Sequence, residues 1–300
     1  MSIFFHIGLH KTGSTFLQSE VFDKMSDLES IHFLKNDFLQ KEFEYIQSSN
    51  PIYFDEKKIK NLINYFEDEK NYIISSEQFI GNFNFQINGT GTQFFNNMNI
   101  LKEIFPKIKI IIIFRNQLDL LLSHYKDEVV NGLTSDFDEW LRLRNRFFSL
   151  NFLYYDKTIE FLWSLFGRDN VIFDLYENIF FDTSKMKSFL DKISNSYNFD
   201  QINFDKRINI SSSDISIMLN KFTNRLIKTK LNTQSFTGRY DNLKIYNFLR
   251  YHFYPFLSKN FKKRNKKIYY CDRLFKLMKD LEVSNTNFFN KTKLKIINDI

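Results

Sequence analysis

The sequence predicts an α/β fold in which a mostly parallel, P-loop-like sheet is flanked by helices and is followed by a helical C-terminal part. Two observations predict this class. In the first half of the chain, short apolar runs alternate with longer stretches whose apolar residues recur every three or four positions, as strands and amphipathic helices do. After about residue 205 strand signals become few, while the helical spacing continues. This alternation is typical of a parallel sheet covered by helices on both faces.

The elements follow from these runs. Strands are predicted at residues 2–7, 72–75, 108–114 and 171–175. Helices are predicted at residues 14–25, 56–67, 94–105, 118–130, 152–166, 215–227, 242–257 and 273–281. Open α/β sheets bind their ligands beyond the C-terminal ends of the strands. We therefore expect the chemistry in the loops after Ile7, Ser75 and Phe114.

Length and composition indicate one domain over residues 1–300, with a nucleotide-binding core at about 1–200 and a helical, basic extension at about 205–300. The single cysteine, Cys271, excludes an internal disulfide and fits a reducing compartment. The N-terminus has no signal-peptide pattern and no apolar run is long enough to span a membrane, so a cytoplasmic location is expected. The five histidines and one cysteine show no zinc spacing, so no metal is expected.

Positive charge is concentrated in the C-terminal part of the chain. The net charge is +7, yet from Arg225 onward 18 Lys and Arg residues stand against 5 Asp and Glu residues. A solvated basic face is one interpretation, and peripheral contact with an anionic membrane or an acidic glycan is another. No helix-turn-helix, zinc-finger or aromatic RNA-binding pattern accompanies the charge, so no nucleic-acid partner is expected.

The first loop, residues 8–16, runs from a predicted strand through two glycines into a helix. The N–H groups and partial positive charge of a helix N-terminus suit an anion. The spacing resembles a Walker loop, but Ser14 stands where the lysine belongs and Lys11 lies within the turn. Arg115, instead of an acid, follows the strand at 108–114. The loop is predicted to hold a phosphate without magnesium; a turn capped by Ser14 without any ligand is the alternative.

The second loop pairs an arginine with a serine. Arg115 ends the strand and Ser123 lies about two turns into the next helix. A guanidinium offers a planar fork of donors to a phosphate, and a serine hydroxyl can complete the site. A strand-end salt bridge with an ordinary helical serine remains the alternative.

Together the two loops resemble the sulfotransferase superfamily. Residues 208–212 and the final predicted helix from Asp272 resemble its bacterial carbohydrate-type members in particular. Residues 8–16 resemble the family's 5′-phosphosulfate loop, and residues 115–125 resemble its 3′-phosphate motif. Residues 175–178 resemble its Tyr-Glu-Asp stretch, with Asn178 in place of the aspartate, and Gln117 replaces a usual proline. The resemblance spans most of the chain, although only the two loops are specific.

The resemblance implies transfer of a sulfuryl group from 3′-phosphoadenosine 5′-phosphosulfate (PAPS) to a hydroxyl or amine, with a saccharide as the favoured acceptor and no metal. Lys11 would stabilise charge on the bridging oxygen of the donor. Phe16 would pack near the adenine, unless it is a core residue, and Arg239 would close over the 3′-phosphate, unless it lies in a plain surface loop. The implied donor-binding residues are Lys11, Thr12, Gly13, Ser14, Thr15, Phe16, Arg115, Ser123 and Arg239.

Glu77 is the candidate general base, because it follows the second predicted strand at the same sheet edge as the two loops. A free glutamate has a pKa of about 4.3, and partial burial is expected to raise it toward neutrality. A strand-end acid paired with a lysine is the alternative, and His10 and His124 are the competing bases.

Two other functions stay open at this stage. A nucleotide-dependent kinase with a degenerate phosphate loop would share the first loop, but the missing Walker lysine and acid argue against it. A nucleotide- or glycan-binding module that has lost catalysis is the second, and it would bind adenosine 3′,5′-bisphosphate without transferring sulfate.

Overall fold

The structure is a computed structural model that describes residues 2–26, 31–34, 40–66, 70–81, 90–146, 150–194, 202, 212–227, 229, 231, 248–260 and 266–298. Its sheet contains five parallel strands in the order β2-β3-β1-β4-β5. The strands are β1 (Ile3–His6), β2 (Ile31–Leu34), β3 (Asn71–Ser75), β4 (Lys109–Phe114) and β5 (Val171–Leu175). The predicted α/β class is confirmed.

Helices connect and flank these strands within the described residues. The first group is α1 (Ser14–Phe16), a π-helical turn (Leu17–Phe22), α2 (Asp23–Ser26), α3 (Gln40–Ser48), α4 (Lys60–Tyr65), α5 (Thr90–Ile104) and α6 (Gln117–Val130). The second is α7 (Phe137–Arg146), α8 (Tyr155–Phe166), α9 (Tyr176–Phe181), α10 (Thr183–Asp191), α11 (Asp214–Leu226), α12 (Tyr254–Asn260) and α13 (Asp272–Thr292). Short 3₁₀ turns add Glu56–Ile59 and Glu77–Ile80.

Both faces of the sheet are buried. Successive side chains of a strand point to opposite faces, and each face packs against its own set of apolar residues. Phe4 and Ile111 belong to a core cluster that also contains residues of α2 and α10. On the other face, Phe5 packs edge-on against Phe79, with ring centroids 5.0 Å apart, and Phe114 packs against Phe288 of α13 at 5.1 Å. Uninterrupted apolar strands such as β4 are therefore covered on both sides, as their composition predicts.

Several elements differ from the sequence-based expectation, and helices α3, α7, α9 and α10 were not predicted. Strand β2 was not predicted, because its four residues include His32 and are too few to show a period. The predicted helix 14–25 contains a π-helical turn. Helix α13 continues to Thr292 instead of ending at 281. The prediction ended too early because the buried position 284 carries a serine, which donates a hydrogen bond to Asp156, where the helical pattern would have an apolar residue.

The chain forms two compact units, each assembled from separate stretches of sequence. The first comprises Met1–Asn116, Arg146–Ile208 and Asp280–Ile297, and contains the whole sheet. The second comprises Gln117–Asn145, Asn209–Lys279 and Asn298–Ile300. The assignment of residues 1–300 to one domain stays a prediction.

The second unit is built around buried polar contacts as well as apolar ones. Glu128 accepts a hydrogen bond from Trp140 Nε1 at 3.0 Å and pairs with the buried Arg144. Burial lowers the pKa of Arg144 to about 10, so the guanidinium remains charged at neutral pH. None of the helices in the described ranges combines the length and the apolar character that crossing a membrane requires.

Candidate functional site

The candidate site lies in the first unit, where the parallel strands end. β1, β3, β4 and β5 share one direction, so the residues that follow them meet at the same edge of the sheet. These residues are the loop before Ser14, then Ser76 and Glu77, then Arg115, and finally Tyr176 with Glu177. The site is therefore assembled from four strand ends. The sequence placed the chemistry at three of them, and it gave residues 175–178 at the fourth only as a family resemblance.

The first loop has the backbone of an anion cradle. Gly13 adopts φ 83° immediately before α1, and Lys11 also has a positive φ of 67°, a conformation that costs most residues about 1–2 kcal/mol. The buried Thr12 hydroxyl donates to the Leu9 carbonyl and fixes the turn. Leu17 N donates to Gly13 O at 3.1 Å, so the helix begins at the glycine and its first-turn N–H groups point toward the loop.

One buried polar atom at this edge, Arg115 Nε, has no hydrogen-bond partner among the described residues. The buried Ser14 hydroxyl lies at the start of the helix and interacts with the Glu77 carboxyl group. An unpaired buried donor costs about 1–3 kcal/mol, so Arg115 Nε is suited to bind an anion placed over the loop. The residues present therefore fit a phosphate or sulfate group.

Arg115 joins the second loop to the first. Its Nη1 donates a hydrogen bond to the Lys11 carbonyl, and its guanidinium lies 4.7 Å from the ring centroid of Tyr176. Its own carbonyl accepts a hydrogen bond from Tyr155 Oη at 2.8 Å. The arginine thus holds the tip of the first loop. Its phosphate-binding role stays a prediction.

An aromatic stack covers the cradle, and sequence reasoning missed it. Tyr176 stacks on Phe180 at 4.5 Å, and Phe180 packs edge-on against Phe16 at 5.6 Å. A β-carbon on Gly13 would lie only 2.4 Å from Phe180 Cζ. Tyr176 could have been found, because it directly follows β5 as Arg115 follows β4. Phe180 carries no such signal.

Glu77 and His10 form a hydrogen-bonded pair. His10 Nδ1 lies 3.2 Å from Glu77 Oε2, and His10 Nε2 lies 3.1 Å from the Gly81 carbonyl. Because a carbonyl only accepts, Nε2 must carry a hydrogen, which leaves one proton to be shared between Nδ1 and the carboxyl group. An imidazolium facing a carboxylate satisfies both contacts.

The pKa of Glu77 is shifted opposite to the sequence-based expectation. Burial pushes it up, but the hydrogen bond and charge of His10, together with Ser14 and His6, outweigh burial and hold the pKa below its ordinary value of 4.5. The expected rise toward neutrality is therefore wrong, because the opposing imidazole comes from a loop 67 residues earlier in the chain. Glu77 is ionised at neutral pH.

A buried histidine lies near enough to the Glu77 carboxyl group for each to influence the pKa of the other. His6 is fully buried, and its Nδ1 lies 2.7 Å from Ser75 Oγ, which also accepts from Gln18 Nε2 at 2.9 Å. Burial lowers the pKa of His6 to about 4, although Glu77 opposes the shift, so the ring is neutral at pH 7. Sequence reasoning missed His6 because it reads as an ordinary strand residue.

The remaining predicted residues stand as follows. Thr15 is exposed at the start of the helix, and Phe16 is buried in the core beneath the aromatic stack. Ser123 lies on α6 in the second unit, where His124 is buried, and the predicted role of Ser123 stays a prediction.

Arg239 and most of the basic run 262–267 lie outside the described residues. Among the described residues, no group of three or more His, Cys, Asp or Glu side chains is placed to hold a metal ion.

Comparison with known proteins identifies the family. A model of the sulfotransferase domain matches residues 3–202, while no curated protein matches the chain. A sulfotransferase structure from Alicyclobacillus acidocaldarius is 17% identical with a TM-score of 0.50, covering 75% of this chain and 93% of that one. Mouse sulfotransferase SULT7A1, solved with PAP, is also 17% identical over 96% of this chain and 88% of that one, but its TM-score of 0.38 carries no structural conclusion. Because the family model spans about two thirds of its length, the chain belongs to the sulfotransferase domain family and is a sulfotransferase.

Proposed function

We propose that this sulfotransferase moves the sulfuryl group of PAPS to a hydroxyl group of a saccharide. The observation that carries the proposal is the meeting of an anion cradle and a carboxylate at one sheet edge. Ser14 belongs to the cradle, yet it lies near enough to Glu77 to lower the pKa of that carboxyl group. Sulfuryl transfer needs both parts within a few ångströms of each other.

The cradle suits the 5′-phosphosulfate end of the donor. Gly13 lets the backbone turn into the helix without a side chain in the way, and the buried Ser14 hydroxyl lies in the first turn, beside Glu77. Thr15 adds an exposed hydroxyl in the first turn. Thr12 contributes through its backbone, since its side chain is bonded to Leu9.

Lys11 is the residue that we assign to the developing charge. It stands at the tip of the loop, with its backbone held in the left-handed conformation and its carbonyl bound by Arg115. An ammonium aimed at the oxygen that leaves sulfur stabilises the transition state more than the ground state. Because Lys11 and the N–H donors supply positive charge there, we include metal independence in the proposal.

Arg115 is assigned to the 3′-phosphate. One edge of its fork is occupied by the Lys11 carbonyl, but Nε has no hydrogen-bond partner in the described part of the chain. Stacking on Tyr176 holds the guanidinium plane in one orientation. A second phosphate on the remaining edge would satisfy the fork.

The His10–Glu77 pair is the proposed proton acceptor. When the acceptor oxygen bonds to sulfur, the bond from sulfur to the phosphate oxygen breaks and adenosine 3′,5′-bisphosphate leaves. Glu77 takes the proton of the acceptor hydroxyl, while His10 keeps the carboxylate ionised and oriented beforehand. Anchoring of His10 Nε2 on the Gly81 carbonyl fixes the ring in the orientation that this requires.

The proposal also includes a saccharide acceptor and a cytoplasmic location. The acceptor is supported by the resemblance of residues 208–212 and of the helix from Asp272 to carbohydrate-type members, and by a carboxylate base suited to an alcohol. The location is supported by a sequence with one cysteine, Cys271, and hence no internal disulfide.

The proposal is tested by transfer of labelled sulfate from PAPS across panels of sugars, lipids and phenols, with EDTA present and products read by mass spectrometry. We expect a sulfated saccharide, strongly reduced by Lys11→Ala and unchanged by Lys185→Ala, a matched change at an exposed lysine of α10. Magnesium-dependent ATP turnover without sulfate transfer would instead support the kinase. Binding of adenosine 3′,5′-bisphosphate with no transfer to any panel member would support an inactive binding module.

A further inference from the structure

Helix α11 of the second unit is folded with its polar face inward. Ser216, Asn220 and Asn224 are almost completely buried. On the opposite face, Ile215, Met218 and Phe222 are 44%, 69% and 62% exposed. An exposed apolar surface opposite a buried polar one is informative, whereas a single exposed apolar residue is not.

The orientation of the helix is fixed by hydrogen bonds from the buried face. Asn224 Nδ2 donates to the Val129 carbonyl at 2.7 Å and to the Leu133 carbonyl at 3.0 Å. Ser216 Oγ donates to the Tyr254 carbonyl at 3.2 Å. Rotating the helix to bury its apolar face would leave these carbonyls without the amide and hydroxyl donors, at about 1–3 kcal/mol each. The apolar face is therefore held outward by the fold itself.

The exposed residues form one stripe, because positions 215, 218 and 222 recur at the three- and four-residue spacing of a helix face. Lys221 and Arg225 lie four residues apart along one border of the stripe at 100° per residue. The two cations are close enough that Arg225 helps to lower the pKa of Lys221, after burial, with Asp136 opposing. Like charges at this spacing repel each other, and an anion placed between them removes the repulsion.

We infer that α11 lies in the plane of an anionic lipid surface, with the apolar stripe at the acyl boundary and the two cations on lipid phosphates. An apolar stripe with bordering basic residues is the pattern of in-plane amphipathic helices. The chain that follows adds charge of the same sign, with 18 basic against 5 acidic residues from Arg225 onward. A second copy is the less suitable occupant, since it would bring the same cationic pair to the same face.

The test is co-sedimentation of the full chain with vesicles of neutral phosphatidylcholine, or of the same lipid with about 30% phosphatidylglycerol, a composition anionic enough to attract basic residues. The wild type should bind the anionic vesicles. The double substitution Met218→Gln with Phe222→Gln should weaken that binding by at least about tenfold, because two apolar side chains that enter the acyl boundary in the wild type are replaced by polar ones. Lys221→Gln with Arg225→Gln should lose roughly tenfold on anionic vesicles only.

A matched control uses Ile52→Gln with Val283→Gln, two exposed apolar residues of the first unit, and should bind vesicles as the wild type does. Equal binding of the wild type to neutral and anionic vesicles, or to neither, would overturn the inference. A dimer seen in sedimentation velocity and abolished by the Met218→Gln, Phe222→Gln variant would also overturn it. A melting temperature lowered by more than about 5 °C in that variant would overturn it too, because it would mean that the face packs against the chain itself. Sulfate transfer to a soluble acceptor should not change in any of these variants. The membrane inference can therefore fail while the proposed function holds, and the reverse is also possible.

Discussion

Substituting alanine for Gly13 tests the conformation of the cradle more severely than any other single change. At φ 83° a residue with a β-carbon costs about 1–2 kcal/mol more than glycine. The new β-carbon would stand 2.4 Å from Phe180 Cζ and 2.9 Å from its Cε1, whereas carbon atoms prefer about 3.5–4.0 Å. The Phe180 ring must therefore move by about 1 Å or more.

That movement disturbs packing on two sides of the ring. Phe180 stacks on Tyr176 and meets Phe16 edge-on, and such pairs contribute about 0.5–1.5 kcal/mol each beyond their buried area. With the backbone strain, we expect Gly13→Ala to destabilise the protein by roughly 2–4 kcal/mol. At about 2–3 °C per kcal/mol for a chain of this size, the melting temperature should fall by roughly 5–10 °C, as measured by circular dichroism.

Gly91 supplies the matched control, because a β-carbon there would have no neighbour within 4 Å and the residue lies in helix α5. Gly91→Ala should leave stability unchanged or raise it by up to about 1 kcal/mol. In a double-mutant cycle, Phe180→Ala should recover about 1–3 kcal/mol of the Gly13→Ala loss, since it removes the clash but not the strain. An unchanged melting temperature for Gly13→Ala, or no coupling to Phe180, would refute the assigned loop geometry.

Three further predictions concern the donor and the proton. Adenosine 3′,5′-bisphosphate should raise the melting temperature more than adenosine 5′-monophosphate does, because the Arg115 fork needs the 3′-phosphate; equal shifts would remove Arg115 from the donor site. Lys11→Ala should reduce turnover with little loss of donor affinity, and Arg115→Ala should reduce donor affinity with little loss of turnover; single-turnover kinetics and calorimetry measure the two quantities. If Lys11→Ala mainly weakens binding and Arg115→Ala mainly slows turnover, the two loops are assigned to the wrong ends of the donor. The ionised form of Glu77 is the active one, so activity should fall only as the pH drops through a pKa below 4.5. His10→Asn should move this acidic limb of the pH–rate profile to higher pH, because burial then dominates; an unmoved limb would contradict the pairing.

The sheet and its loops could be predicted because their signals are local. β4 is an apolar run of isoleucines, and Gly8 and Gly13 mark a turn between a strand and a helix. Lys11 and Arg115 were expected at one edge because parallel strands bring their ends together. Their direct contact through the Lys11 carbonyl was not, since it joins residues 104 positions apart.

What the sequence could not predict depends on tertiary packing. The place of Glu77 at the end of β3 follows from the strand, but the direction of its pKa shift depends on which side chains reach it. Burial alone predicts a rise, and only the position of His10, anchored on Gly81, reverses the sign. The inverted burial of α11 was hidden for a similar reason. Its apolar spacing predicts the helix correctly, but the partners of Ser216 and Asn224 decide which face is buried.

The central claim is that one sheet edge both holds the donor and removes the proton of the acceptor. The most direct measurement is turnover by Glu77→Gln, with donor affinity determined calorimetrically with adenosine 3′,5′-bisphosphate on the same preparation. The substitution keeps the shape of the side chain and removes the proton acceptor. We predict a loss of roughly 10²–10⁴-fold in turnover with unchanged bisphosphate affinity. A loss of less than about threefold, with affinity unchanged, would contradict the claim and make Glu77 a structural residue.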